Sequence, residues 1–231
     1  MFEERASDSP VIDRVWRSHS ERAGAFHSIA ACCWGIVVSR VAGATRVTVR
    51  GPETSATAAD CPADGEWVGI QFRLGTFMPA LPPAGLRDRN DLTLPGDKGH
   101  FLLGDDAWEY PTYENAETFV QRLLRRGLIV RDRCVEAVLA DEPRHLSERT
   151  IQRRVRRATG MSPKTIQQIG RAREATMMLR EGVAVAQVVS DLGYVDQAHL
   201  SRSVTRFIGQ TPGRIALREA QLSLLYKTPD R

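Results

Sequence analysis

The 231-residue sequence has few cysteines and no long apolar segment. Its four cysteines include no C-x-x-C pair, which argues against a disulfide framework or a zinc knuckle and favours the reducing cytoplasm. The longest apolar run, residues 29–38, is too short to span a bilayer as a helix, so we expect no membrane partner. The first ten residues are polar and acidic, unlike a secretory signal.

Motifs for catalysis and cofactor binding are also missing. The sequence contains no glycine-rich phosphate loop, no G-x-S-x-G elbow and no paired-carboxylate motif. His19, His27 and His100 are scattered without the spacing of metal ligands. We therefore expect no metal, no cofactor and no enzymatic activity.

The charge of the chain is unevenly distributed. Residues 1–121 contain 11 Lys and Arg against 17 Asp and Glu, whereas residues 122–231 contain 21 against 11, which gives net charges of −6 and +10. Nearly all the basic residues are arginine, whose guanidinium group binds phosphate groups and the edges of guanine bases. The basic half therefore predicts a polyanionic partner, although a solvated charged face is the simpler alternative.

Hydropathy patterns divide the chain at a similar point. Strand-like segments are predicted within the first third, separated by breaks rich in Gly, Pro and Asp, at residues 26–38, 45–49 and 67–72. Residues 1–23 show no clear periodic element, and loops with a short helix are expected over residues 79–113. Asn115 is a candidate helix N-cap, and no strand is expected beyond it.

The predicted fold class is therefore α+β, in which a β-rich domain precedes an all-α domain. The boundaries are residues 1–113 for the β-rich domain, residues 114–130 for a linker helix and residues 131–231 for the helical domain.

The helical half contains a repeat. Residues 145–166 align with residues 194–215 at an offset of 49, and helix caps, stops and restarts fall in register. In the first copy Ser147 is the N-cap, Gly160 is the left-handed stop and Pro163 begins the next helix. In the second copy the same roles fall to Asp196, Gly209 and Pro212. A short helix is predicted before each copy, which is the pattern of a helix-turn-helix.

The main helix of each copy has one apolar and one polar face. Ile151 and Val155 in the first copy, and Leu200 and Val204 in the second, recur at the spacing of a buried face. A helix over residues 163–181 joins the copies and would span roughly 28 Å at 1.5 Å per residue. That length could place the two polar faces about one turn of B-DNA apart.

These segments resemble the AraC/XylS family of bacterial transcription regulators. The resemblance covers about residues 131–218 and rests on LSERTIQRRVRRATGMSP, RAREATMMLREG and VVSDLGYVDQAHLSRSVTRFIGQTPGR. It implies two helix-turn-helix subdomains that read adjacent major-groove segments of double-stranded DNA. By position, the implied base contacts are Arg149, Gln152, Arg153, Gln197, Ala198, Ser201 and Arg202. The expected phosphate contacts are Arg156, Lys164, Thr205, Arg206 and Arg214; Lys164 and Arg214 lie beside helix N-termini, which attract anions.

The β-rich half resembles, more distantly, the small cupin-like sensory barrel of some regulators in this family. The segments that carry this likeness are WVGIQFRLGTFMPAL and AWEYPTYENAETFVQRLL. The resemblance implies three further partners, which are a small-molecule effector, RNA polymerase and a second copy of the chain. The residues predicted to line an effector pocket are the aromatics Trp34, Trp67, Phe72, Trp108 and Tyr110, which could equally form the core of the barrel.

A different interpretation of the same residues remains open. The β-rich half could be a ligand-binding or thiol-sensing protein whose helical half mainly mediates assembly. The Cys pair at residues 32–33 lies in a predicted apolar strand, where buried thiols are typical, but Cys61 lies in a polar loop and could be oxidised.

Overall fold

The computed structural model describes residues 2–89, 92–139 and 147–218. Strands dominate the first half of the chain and helices the second. Within the described residues the strands are β1 (Phe2–Ala6), β2 (Ile12–Ser20), β3 (Gly24–Ser28), β4 (Gly35–Val41), β5 (Ala44–Arg50), β6 (Thr57–Cys61), β7 (Gly65–Phe72), β8 (Thr76–Phe77), β9 (Leu92–Leu94), β10 (His100–Leu103), β11 (Asp106–Glu109) and β12 (Val130–Arg131). The helices are α1 (Pro83–Leu86), α2 (Ala116–Arg125), α3 (Arg133–Leu139), α4 (Glu148–Thr159), α5 (Pro163–Arg180), α6 (Val185–Asp191), α7 (Gln197–Ile208) and α8 (Pro212–Ala216). The α+β class is confirmed, and the turn at residues 140–146 before α4 lies outside the described residues.

An antiparallel sheet in the order β1-β2-β7-β4-β5-β9 forms the centre of the N-terminal half. Alternating side chains of β2, β4 and β7, among them Val15, Ile36 and Ile70, are buried on one face. Helix α2 packs there through Phe119 and Leu123, because its apolar residues recur three to four positions apart. The other face of the sheet is partly covered by the two-stranded β3–β6 ribbon, so a groove separates ribbon and sheet.

Several elements of this half differ from the sequence prediction. Strands β1 and β2 lie where the sequence analysis found no clear periodicity, and within β2 a register shift between Ile12 and Arg14 interrupts the alternation. The predicted strand over residues 26–38 is two strands, β3 and β4, and Cys32 and Cys33 lie in the loop between them. Strand β12 pairs with β8, so the expectation of no strand beyond Asn115 is wrong.

The helix signals of the C-terminal half are largely confirmed. Ser147, Ser162 and Asp196 each accept a hydrogen bond from the backbone N–H three residues later, as N-cap side chains do. Gly160 and Gly209 end α4 and α7 at φ values of +74° and +84°, the left-handed conformation that favours glycine. None of the helices within the described residues is both long enough and apolar enough to cross a bilayer.

Helix α5 joins the two copies of the repeat through a shared core. Its residues Ile169, Ala172 and Leu179 are buried, and they belong to the same apolar cluster as Val155 of α4 and Leu200 of α7. Because residues of α4, α5 and α7 pack in one apolar cluster, this packing fixes α4 and α7 relative to each other.

The N-terminal half contacts the C-terminal ends of both α4 and α7. The Arg87 guanidinium donates to the Gly160 carbonyl at 2.9 Å, and α1 lies so close that a Cβ on Gly160 would meet its backbone at 2.9–3.0 Å. At α7, the Ala56 N–H donates to the Arg206 carbonyl at 2.9 Å, and the Ala30 N–H donates to the Phe207 carbonyl at 2.8 Å. These bonds satisfy last-turn carbonyls that a helix leaves without a partner. We call this set of contacts the docking contacts.

Candidate nucleic-acid interface

Helix α4 divides its five arginines between two directions. Arg149, Arg153 and Arg156 follow each other at spacings of four and three, so they share one exposed face. Arg154 instead pairs with Asp132 at 3.6 Å, and Arg157 lies over the Phe77 ring at 5.5 Å. The first face is therefore available to a partner, while the second attaches α4 to the rest of the protein.

The exposed face of α4 and the start of α5 enclose an open cleft of about 720 Å³. The lining residues are Arg149, Thr150, Gln152, Arg153, Arg156, Ser162, Pro163 and Lys164. Four of these eight side chains are cationic and none is acidic, so the cleft favours an anionic ligand. All the base and phosphate contacts predicted for the first copy therefore lie together.

The N-terminus of α5 contributes more than the Lys164 side chain. Pro163 is its first residue, and the Ser162 hydroxyl accepts the Thr165 N–H at 3.1 Å, which fixes the start of the helix. A helix N-terminus carries partial positive charge, so it adds to the field of the cleft. This arrangement suits a DNA phosphate in the cleft while guanidinium and amide groups reach base edges.

Helix α7 presents the corresponding residues of the second copy. Gln197, Ala198 and Arg202 are exposed and Ser201 is half-buried, while Leu200 and Val204 on the opposite face are fully buried. The predicted phosphate contacts Thr205, Arg206 and Arg214 are also exposed. Both helices thus leave their predicted base-contacting faces accessible, although the docking contacts hold their C-terminal ends.

The turn before α7 is anchored by α5. The Arg171 guanidinium lies over the Tyr194 ring at 4.4 Å and donates to the Gly193 carbonyl at 3.4 Å. Gly193 adopts a left-handed φ of +64°, as the tight turn between α6 and α7 requires. Sequence reasoning missed Val195 at this turn, whose side chain is 84% exposed next to the N-cap of α7. An apolar group there can contact a thymine methyl, and only the structure shows its exposure.

Four of the five aromatic residues predicted for an effector pocket, Trp34, Phe72, Trp108 and Tyr110, instead belong to or pack against the hydrophobic core of this half. Trp34 and Phe72 stack at 4.1 Å in the core, and the Trp34 indole donates to the Thr76 carbonyl at 2.6 Å. Trp108 is buried edge-on against Phe119, and the Tyr110 hydroxyl donates to the Asp97 carbonyl. Trp67 lines the groove between the sheet and the β3–β6 ribbon.

That groove has a volume of about 560 Å³. Its lining includes four aromatic side chains, those of Phe2, Trp16, Phe26 and Trp67. Arg22 and Arg50 also line it. A concave, mainly apolar site with a few polar groups is typical of small-molecule pockets, and this volume falls in their usual range.

Comparison with known proteins defines the class of the C-terminal part. Residues 144–218 match the family model described as a helix-turn-helix domain, so this part is a DNA-binding domain. The match is of the AraC type and supports a regulator of the AraC/XylS family. No curated protein and no solved structure gives a significant match.

Proposed function

We propose that the protein is a sequence-specific transcription regulator that reads two adjacent major-groove segments, one with α4 and one with α7. The observation that carries this proposal is the α4–α5 cleft, where three arginines, one lysine and one glutamine are gathered without an acidic side chain. Arginine and glutamine form bidentate contacts with guanine and adenine, and a helix N-terminus binds phosphate. We assign no catalytic reaction to the chain.

The helix between the two copies supports the two-segment proposal. Helix α5 has 18 residues and therefore spans about 27 Å at 1.5 Å per residue. Both α4 and α7 pack into the same apolar cluster as this helix, and the proposal requires their exposed faces to lie about 34 Å apart, the distance between neighbouring turns of the major groove.

We further propose that the groove of the N-terminal half binds a small-molecule effector. The aromatic residues of the wall favour a planar apolar body. Phe26 of β3 lines the groove, and two residues after the end of β3 the Ala30 N–H donates to the Phe207 carbonyl of α7. A ligand that displaces the β3–β6 ribbon would therefore move the C-terminal end of α7.

Selection of bound sequences from a random oligonucleotide pool, followed by fluorescence anisotropy on the selected site, tests the regulator proposal. We expect tighter binding to the selected duplex than to random DNA, and two protected major-groove segments in a methylation footprint. Equal affinity for selected and random DNA would contradict sequence-specific reading, and a single protected segment would contradict the two-segment arrangement.

The effector proposal needs a separate measurement. Trp67→Ala opens the groove wall without touching either reading helix, and Trp108→Ala serves as the control because Trp108 is buried elsewhere. A metabolite mixture that changes DNA affinity of the unaltered protein should lose that effect in Trp67→Ala. Retention of the full effect in this variant would place the effector outside the groove.

A further inference from the structure

The Val195 side chain, in the turn before α7, is the most exposed of the large apolar side chains in the part of the chain that the structure describes. It is 84% exposed, against 70% for Leu217 and 49% for Leu102. Val195 directly precedes the N-cap Asp196, and an apolar residue at that place commonly packs on the fourth residue of the helix. That residue is Leu200, which is fully buried, and a side chain as exposed as Val195 does not cover it. Helix capping therefore does not account for a valine here.

The backbone that carries Val195 is held on both sides. The Val195 N–H donates to the His199 Nδ1 atom at 3.4 Å, and the His199 N–H donates to the Asp196 carboxylate at 2.6 Å. The His199 ring also meets the Tyr194 ring edge-on at 5.2 Å, and Tyr194 is buried against the Arg171 guanidinium. Valine has few side-chain rotamers, so this group meets a partner with little further loss of conformational freedom.

Val195 lies at the end of α7 that meets the bases in a helix-turn-helix. In this motif the N-terminal residues of the recognition helix contact base edges in the major groove. Gln197 and Ala198, the first two residues of α7, are exposed, so a duplex that meets them also comes near Val195. The docking contacts lie at the opposite end of the helix and leave the valine uncovered.

The two copies of the repeat present different side chains to a duplex. Helix α4 carries Arg149 and Gln152, which are long and polar. The aligned residues of α7 are Ala198 and Ser201, which are short. Short side chains let a duplex approach the α7 backbone closely, and this brings an apolar group in the preceding turn within reach of the base edges. The first copy has Leu146 in place of the valine, and that residue lies outside the described residues.

We propose that Val195 contacts the 5-methyl group of a thymine in the DNA segment bound by α7, and that it is a specificity-determining residue outside the recognition helix. Among the four bases, thymine alone presents an apolar group at its major-groove edge. Removal of one methyl group from water against an apolar side chain corresponds to about a fourfold gain in affinity. Val195 therefore favours thymine over cytosine at one position, and this inference rests on the proposed function.

Replacement of thymine by deoxyuridine tests the contact, because it removes only the 5-methyl group of the base. Fluorescence anisotropy with the full chain compares the selected duplex with duplexes in which one thymine at a time is replaced. We expect one replacement within a protected segment to weaken binding of the unaltered protein about fourfold. In Val195→Ser the same replacement should have no effect, because the apolar partner of the methyl group is absent.

Leu102→Ser is the matched control, because it also removes an exposed apolar side chain but lies on β10 of the N-terminal half. Loss of the deoxyuridine effect in Val195→Ser and its retention in Leu102→Ser support the contact. No effect at any thymine, an unchanged effect in Val195→Ser, or equal loss in both variants would overturn it while sequence-specific binding persists. Equal affinity of the unaltered protein for selected and random DNA would instead contradict the proposed function, and this inference with it.

Discussion

Removal of the Lys164 ammonium should change the salt dependence of DNA binding by one phosphate contact. Lys164 is exposed in the α4–α5 cleft beside the N-terminus of α5 and makes no ion pair within the described residues, so Lys164→Ala should leave the fold intact. Each phosphate neutralised contributes about −0.9 to the slope of log K against log salt concentration. The four cationic residues predicted to contact phosphate (Arg156, Lys164, Arg206 and Arg214) then contribute a slope of about −3.6.

These slopes convert into measurable losses of affinity. Between 50 and 200 mM salt, the four cations predict about a 150-fold loss in the unaltered protein, against about 40-fold in Lys164→Ala. Fluorescence anisotropy titrations over this salt range supply both slopes. Lys98→Ala removes the same charge from an exposed loop of the N-terminal half and should leave the slope unchanged. An unchanged slope in Lys164→Ala, or an equal change in Lys98→Ala, would refute the placement of a phosphate in the cleft.

Three further predictions concern specificity, helix capping and pH. Arg202→Ala should cost about 1–3 kcal/mol on the selected site and little on random DNA, and equal losses in a gel-shift titration would remove Arg202 from the base contacts. Asp196→Ala should lower the free energy of unfolding in urea by about 1 kcal/mol, because the Asp196 carboxylate caps α7. Thr211→Ala is the control and should lower it little, because the Thr211 side chain makes no cap bond. Similar losses in the two variants would contradict the capping role. The Arg5 guanidinium lowers the pKa of Glu117 to about 2, so this pair stabilises the fold above the unfolded pKa of about 4.3, and the contribution is lost as pH falls toward 2. Glu117→Gln should flatten the fall of unfolding free energy between pH 5 and pH 2, and an unchanged acid transition would exclude this role.

The helical half was largely predictable because its signals are local. A cap such as Asp196 and a left-handed stop such as Gly209 act within a few residues, and the 49-residue repeat showed the same signals twice. The predicted contacts of the first copy lie in one cleft for the same reason, since helical spacing alone places Arg149, Arg153 and Arg156 on one face.

The sheet and the contacts between the two halves depend on pairing across long sequence separations. Strand β2 was missed because the bulge near Arg14 breaks the alternation, and a bulge leaves no reliable signal in one sequence. The pocket prediction chose aromatic residues by type, but Trp34, which directly precedes β4, is buried in the core, whereas Trp67 of β7 lines the groove on the other face of the sheet. The sequence also gave no sign that Arg173 is buried, since an arginine on a helix is expected to face solvent.

The docking contacts have a consequence for how the proposed regulator could be controlled. They hold α4 and α7 at the Gly160 and Gly209 ends and leave the side chains predicted to contact DNA uncovered. A ligand-induced movement transmitted through these contacts would therefore alter the angle and distance between α4 and α7 rather than expose a covered surface. Substitutions such as Ala56→Pro, which deletes an N–H donor to α7, should then shift the preferred number of base pairs between half-sites while overall occupancy of DNA persists.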